Sequence, residues 1–481
     1  MDMKMIIGGD HVDASDGAVM QNINPSTGQS IGTVPAATSD DAKLALTNAV
    51  KGQKEWEAVP LHERIEIIYK FVTLAEKHAE EIGKIACLEG GKILCEAVNE
   101  AKTMAYVFKV FAEGARNHFG IAFSQGHDPR IANDVVFTRS EPLGVIACIV
   151  PFNYPLELYA HKVAPALLMG NAVIIKPSSE TPMAALLVTK LLLEAGVVPN
   201  AVQILTGSGS KVGTWLTKSP LVHAISMTGS NPAAISIMEN SKENLPRWFF
   251  ELGGNDPLII CDDADIDLAV KESLGGRITN AGQICCCSKR FIVQNGVKEA
   301  YTKKLVEALE KVSPKDAMDS EAVMGPVVSE RAAIAIIAQI VHTIEQGATC
   351  LLGGTHEGAY VTPTVLTDVT PSMDIATHME IFGPVFPIIG FDAIEEAIEI
   401  ANNTPYGLQG GVMTADTKRA MYVATRLECG AVVLNGSGNY RGAHQPFGGY
   451  KQSGLGREGV VATLAEMSHA KTISFKGILA G

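Results

Sequence analysis

From Gly144 onward the chain alternates short Val/Ile runs with stretches of ten or more residues at helical spacing, and this alternation limits the fold more than any other feature. The runs GVIACIV, NAVIIKP and AVQILTG are separated by PLELYAHKVAPALLMG and by the stretch around MAALLVTKLLLEAG. Strands joined by crossovers of that length lie parallel, with helices covering both faces, so the segment is expected to be a doubly wound α/β domain. A second block of the same kind runs from PLIICDDADIDLAVKESLGG through RFIVQNGVKEAYTKKLVEALEKV to GAVVLNG. No repeat of fixed period and no low-complexity tract interrupts the pattern.

Ahead of this region the text is helical. SDDAKLALTNAVKGQKEW opens on a Ser/Asp cap, and LHERIEIIYKFVTLAEKHAEEIGKIACLEGG carries apolar residues at three- and four-residue spacing until it stops at Gly-Gly. These helices are expected to cover one face of a sheet. GIAFSQGHDPRIANDVVFTRSEPLG, with an Asp-Pro turn between β-prone runs, reads as an exposed hairpin, and the tail HAKTISFKGILAG is β-like.

With 481 residues, 47% of them hydrophobic, the chain buries a core large enough for two or three domains. A net charge of −13 argues against a nucleic-acid partner, because such binding rests on Lys and Arg neutralising phosphates. The apolar stretches are broken by Pro, Gly or Lys well short of the ~18–20 residues of a membrane span. MDMKMIIGGDHVDASDG lacks the apolar region of a signal peptide, so a cytoplasmic protein without a membrane partner is expected. Nine cysteines occur without CxxC pairs, which argues against a disulfide framework and a zinc site. Acidic runs such as CDDADID read as solvated caps, and no metal is expected.

Two features point to a dinucleotide. Strand AVQIL runs into TGSGSKVG, with Gly207, Gly209 and Gly213 where strand turns into helix. Read alone, GxGxxxG is an ordinary turn rather than a pyrophosphate cradle. A second strand-turn-helix unit, AISMTGSNPAAISIM, puts Thr228, Gly229 and Ser230 at another helix start, where backbone N–H groups favour an anion.

Glu251 in FFELGGNDP is followed 34 residues on by Cys285 in NAGQICCCSKR. A thiol and a carboxylate in glycine-flanked turns are suited to forming an acyl-thiol and then hydrolysing it. Together the two motifs and their spacing resemble the active-site signatures of the aldehyde dehydrogenase superfamily, and the resemblance runs from Asn24-Pro25 to PFGGYKQSGLGREG.

That resemblance implies a Rossmann-like cofactor domain (1–119 and 142–253), a second α/β catalytic domain (254–455) and a small β oligomerisation arm (120–141 and 462–481) of a homodimer or homotetramer. It makes Cys285 the nucleophile, with Cys286 and Cys287 as neighbours, and Glu251 the base that activates water. Asn153 in PFNYP becomes the oxyanion donor, although an Asn before Tyr-Pro is equally an ordinary turn residue. Lys162, nine residues further on, would assist proton transfer. Lys176 would contact the adenosine ribose, Ser230 the pyrophosphate, and Glu380 and Phe382 of HMEIFGPVFPI the nicotinamide ribose and ring, with Leu252 completing the cofactor set. The chain departs from the family at Asn231-Pro232 and at Ala234, where a glycine is common.

Ser179 stands where many NAD-preferring members carry a glutamate. A carboxylate there repels a 2′-phosphate, whereas a hydroxyl beside a lysine donates to it, so NADP is expected to be accepted beside NAD. The alternative has Glu180 swing in and restore NAD preference. The activity implied is oxidation of a small aldehyde to its acid, with hydrolysis rather than transfer to coenzyme A because Glu251 is present. The rivals are a coenzyme A-acylating enzyme and a catalytically silent scaffold. Tyr154, Arg247, Arg441 and His444 suggest a small polar or acidic substrate, such as succinic semialdehyde, lactaldehyde or glycolaldehyde.

Overall fold

Val145–Ile149 and Ala172–Lys176 are Val/Ile/Ala strands buried on both faces, and they pair in parallel as their crossovers require. In the computed structural model, which describes residues 1–480, they lie at the middle of an eight-stranded sheet. Its order is Asp10–Val12, Met5–Ile7, Val202–Ile204, Ala172–Lys176, Val145–Ile149, Ala224–Thr228, Arg247–Glu251, Gly454–Leu455. The five central strands are parallel. Both edges are closed by antiparallel segments far away in sequence, at the N-terminus and near the C-terminus. These three- and two-residue pieces are too short to carry a periodic signal, which is why the sequence did not reveal them.

The second block forms a seven-stranded sheet around Asp256–Ile260 and Ser288–Gln294, parallel except for the edge strand Thr349–Leu352. Each sheet carries its own apolar core. A small third cluster of Ile284, Cys286, Cys287, Leu408 and Phe447 lies apart from both, with Cys285 and Tyr154 packed against it.

Ser39–Glu57 begins on Thr38, whose hydroxyl accepts from the Asp41 N–H at 3.2 Å while the Asp41 carboxylate accepts from the Thr38 N–H at 2.8 Å. Trp56 of this helix, fully buried, donates from its indole N–H to the Leu167 carbonyl at 2.7 Å, tying it to the helix Glu157–Leu168. The run after Leu61 is two helices, Leu61–Lys77 and Ala79–Gly90, broken at His78. The break lets both apolar stripes, through Phe71 and Ala75 and then Ile82 and Ala86, face the same core. Gly91 ends the second helix at φ 79, and a Cβ there would also press on Pro25 and Pro326.

Val135–Pro142 pairs antiparallel with Ser468–Phe475 in an isolated two-stranded ribbon. Ala122 bridges to Phe137, and Asp128 caps the turn Pro129–Ile131 between them, so the expected hairpin is present. No helix among the described residues is long and apolar enough to cross a membrane.

Candidate active site

The order of the central strands reverses between Val145–Ile149 and Ala224–Thr228, and a switch point of this kind opens a crevice at the carboxyl ends of the strands. A cleft of about 680 Å³ occupies that position. Lys176, Ser178, Ser179, Gly209, Gly213, Thr228, Gly229 and Ser230 line one part of it, and Asn153, Leu252, Cys285, Glu380 and Phe382 another. Lys176 ends its strand, and burial lowers its ammonium to a pKa of about 8. Ser230 precedes the helix Asn231–Ser241 without capping it through its side chain, which leaves the helix N-terminus open toward the cleft. A Cβ on Gly209 or Gly213 would meet nothing within 4 Å, so the cleft wall there is bare backbone. These features fit a dinucleotide: an uncapped helix terminus and exposed backbone for the pyrophosphate, and hydroxyls beside a lysine for a ribose.

Gly207 is the exception among the predicted cofactor residues. It is buried at φ 137 against Val212 and does not line the cleft. Its glycine serves the bend into a π-helical turn, Gly209–Gly213, rather than a phosphate.

Cys285 sits in a turn with unusual backbone. Asn280, Ala281 and Gly282 have φ values of 49, 51 and 74, and a Cβ on Gly282 would run into the Gly383 backbone. The turn is tied to the PFNYP loop: Asn153 donates from Nδ2 to the Gln283 carbonyl at 2.9 Å, and Asn280 donates from Nδ2 to the Asn153 carbonyl at 3.0 Å. Gln283 in turn accepts from the Val328 N–H at 2.9 Å. Asn153 and the nucleophile loop are therefore held together by three side-chain amides, two of which no sequence motif had assigned.

Of the three consecutive cysteines, Cys285 is half-buried and on the cleft, whereas Cys286 and Cys287 are buried. The Cys285 thiol is held below its ordinary range by hydrogen bonding with Cys286, against the effect of burial and with help from Lys289 and Arg441. Cys286 is pushed well up by the same pairing and by burial. Lys289, which is buried, donates to the Cys285 carbonyl and lies 3.4 Å from Glu380 Oε1. Glu380 also accepts from the Gly254 N–H at 3.2 Å, and a Cβ on Gly253 would overlap its carboxylate, which explains the Gly-Gly after Leu252.

Glu251 ends its strand but lies off the main cleft, in a small recess shared with Ser226, Arg457 and Glu458. Its Oε2 is buried without a hydrogen-bond partner, and burial and the neighbouring Glu458 raise its pKa well above the usual carboxylate range. Lys162 also lies off the cleft. It donates to the Thr228 hydroxyl at 2.7 Å and to Glu458 at 3.1 Å. Arg441 donates to the other Glu458 oxygen at 2.8 Å, and although burial opposes it, Lys162 and Arg441 hold Glu458 well below the usual carboxylate range. Glu458 had no signal in the sequence, since its partner Lys162 lies 296 residues away.

Arg247 takes no part in this site. It opens its strand at the end opposite Glu251 and donates to the Ser468 and Glu466 carbonyls of the tail. His444 is exposed on its loop. Glu180 points off the cleft, paired with Arg331 at 3.1 Å.

A doubly wound sheet whose switch-point cleft runs to a half-buried thiol is the layout of a dinucleotide-dependent oxidoreductase. The chain belongs to the aldehyde dehydrogenase family, whose model matches residues 11–473, and is an NAD(P)-dependent enzyme of that family. It is 35% identical over 457 residues to the NADP(+) succinate-semialdehyde dehydrogenase of Escherichia coli, covering 94% of each chain. Among solved structures it resembles succinate-semialdehyde dehydrogenase from Burkholderia pseudomallei (TM-score 0.95, 33% identity, 98% of each chain). It also resembles betaine aldehyde dehydrogenase from Staphylococcus aureus (TM-score 0.95, 32% identity, 99% of this chain and 95% of the other).

Proposed function

We propose that the chain oxidises a small polar aldehyde to the free carboxylic acid through a thioester on Cys285 that water opens, with NADP or NAD as acceptor. The observation that carries this reading is the half-buried thiol on the cleft, with its pKa lowered and its loop tied to Asn153. In this reading the Cys285 thiolate adds to the aldehyde carbon, and Asn153 with the Cys285 N–H stabilises the oxyanion. Lys176, Ser179, Ser230, Glu380 and Phe382 would hold a nicotinamide cofactor on the cleft, and that group would supply the hydride acceptor for the oxidation. Glu251 then takes a proton from the water that attacks the thioester. This role requires the Glu251 carboxyl to turn from its recess toward the cleft, a movement that breaks no hydrogen bond at Oε2. Lys162, bonded to Thr228 and Glu458, is assigned to assist the proton's departure. Glu380 and Phe382 are assigned to the nicotinamide end, where Lys289 braces Glu380.

A panel of aldehydes assayed with both cofactors and no coenzyme A tests this reading. Acid and reduced cofactor should appear together. Strict dependence on coenzyme A, or inactivity toward every aldehyde, would overturn it.

NADP use is supported by Ser178 and Ser179 on the cleft and by Glu180 being engaged with Arg331. Ser179→Glu is expected to lower the NADP-to-NAD ratio of kcat/KM about tenfold, a modest shift because Ser179 is exposed and a charge there is screened. An unchanged ratio in steady-state kinetics would mean that another residue reads the 2′ position.

The names of two relatives favour succinic semialdehyde as substrate, and short hydroxyaldehydes are the competing class. The ribbon of Val135–Pro142 and Ser468–Phe475, with Val135, Phe475 and Ile478 exposed, is assigned to a homo-oligomer contact.

A further inference from the structure

Cys285 faces the cofactor cleft on one side, and on the other it rests with Tyr154 on the cluster that contains Phe447. The guanidinium of Arg441 lies over the Phe447 ring at 4.1 Å from its centroid, so the surface beyond the nucleophile continues from Phe447 to Arg441. Tyr154 and Glu157, one helical turn apart, are the accessible side chains of the segment Asn153–Leu158. Glu157 is fixed in place by its own backbone, whose N–H, like that of Leu156, donates to the buried Glu100 carboxylate.

The charges around Glu157 are unevenly paired. Lys92, 3.6 Å from the centroid of the Tyr154 ring, is bonded to Glu100. Lys162 and Arg441 both pair with Glu458. Lys162 and Arg441 therefore share one carboxylate, with Arg441 Nε left unpartnered, and the Glu157 carboxylate receives no hydrogen bond among the described residues. His161 Nε2 stands 3.9 Å away, too far to donate directly, and the other ring nitrogen faces the Arg441 guanidinium at 3.3 Å. Burial and Arg441 keep His161 neutral at neutral pH, so it offers Glu157 no counter-charge. Glu157 itself stays ionised: burial opposes this, but the charges of Arg441 and Lys92 favour the carboxylate. A largely enclosed carboxylate without a donor is unfavourable until a ligand or water supplies one.

We propose that Glu157 selects the aldehyde: its carboxylate accepts a hydrogen bond from a hydroxyl or ammonium group on the substrate chain and disfavours aldehydes that end in a carboxylate. The inference rests on the aldehyde-oxidising reading above and deepens it. It sets the wall of this site against succinic semialdehyde: the two positive charges of Lys162 and Arg441 are balanced by Glu458 and by Glu157 itself, so a further carboxylate would face Glu157 uncompensated.

The test measures kcat/KM for 3-hydroxypropanal, 3-aminopropanal and succinic semialdehyde, each as a ratio to butanal, in the wild type, Glu157→Gln and Glu157→Asp. Glu157→Gln should lower the ratio for the hydroxyl or the ammonium substrate about tenfold or more, and whichever falls further identifies the donor. The same variant should raise the succinic semialdehyde ratio by a similar factor, while Glu157→Asp, which keeps the charge, leaves that ratio low. A wild type that prefers succinic semialdehyde, with ratios unmoved by Glu157→Gln, would overturn the inference while leaving the aldehyde-oxidising reading intact. A wild type inactive toward all four aldehydes would fail that reading itself.

Discussion

Cys285→Ala is expected to abolish aldehyde oxidation, by about 10⁴-fold or more, because the variant has no nucleophile for the covalent step. Cofactor binding should survive, since Lys176, Ser179, Thr228 and Ser230 line a different part of the cleft. Cys286→Ala should retain most activity. It removes the hydrogen bond that favours the Cys285 thiolate, so its pH profile should move to higher pH. Cys287→Ala should also retain most activity: its sulfur bonds to the Ile284 carbonyl and the Arg277 guanidinium, contacts that brace the loop rather than reach the cleft. Steady-state rates with fluorescence titration of the cofactor check all three. Loss of activity in Cys286→Ala, with Cys285→Ala active, would move the nucleophile by one position.

Glu251→Gln should give one burst of reduced cofactor per active site and then turn over slowly, by about 10²-fold or more, since an amide takes no proton from water. Burial and the neighbouring Glu458 raise the Glu251 pKa well above the usual carboxylate range, so its basic form is gained at higher pH than that of an ordinary carboxylate. Thioester hydrolysis in the wild type should therefore rise with pH through that raised pKa, and the rise should be absent in Glu251→Gln. Rapid-mixing traces across the pH range separate the two steps. A wild type whose hydrolysis is flat with pH would remove Glu251 from the role of base.

The layered α/β architecture was legible because buried parallel strands and their crossover helices leave a strong local pattern, as in Val145–Ile149 and Ala172–Lys176. The antiparallel edges were not, because Met5–Ile7 and Gly454–Leu455 are defined by a distant partner rather than by their own residues. The site divides the same way. Cys285, Asn153, Ser230 and Glu380 lie in local motifs and line one cleft. Gly207 was read from a glycine spacing that a strand-to-helix bend produces without any ligand, and it lies off the cleft. Lys289, Arg441 and Glu458 act through pairs that only folding brings together, and Arg247, charged and close to Glu251 in sequence, emerges at the opposite end of its strand.

The covalent thioester is the central claim, and mass analysis of Glu251→Gln after mixing with aldehyde and NAD(P) tests it most directly. The account predicts one acyl group per chain, mapped to Cys285 in the peptide that contains Gln283 to Lys289, in step with one equivalent of reduced cofactor. Reduced cofactor formed without any acyl mass, or an acyl group mapped to Cys286 or Cys287, would contradict it.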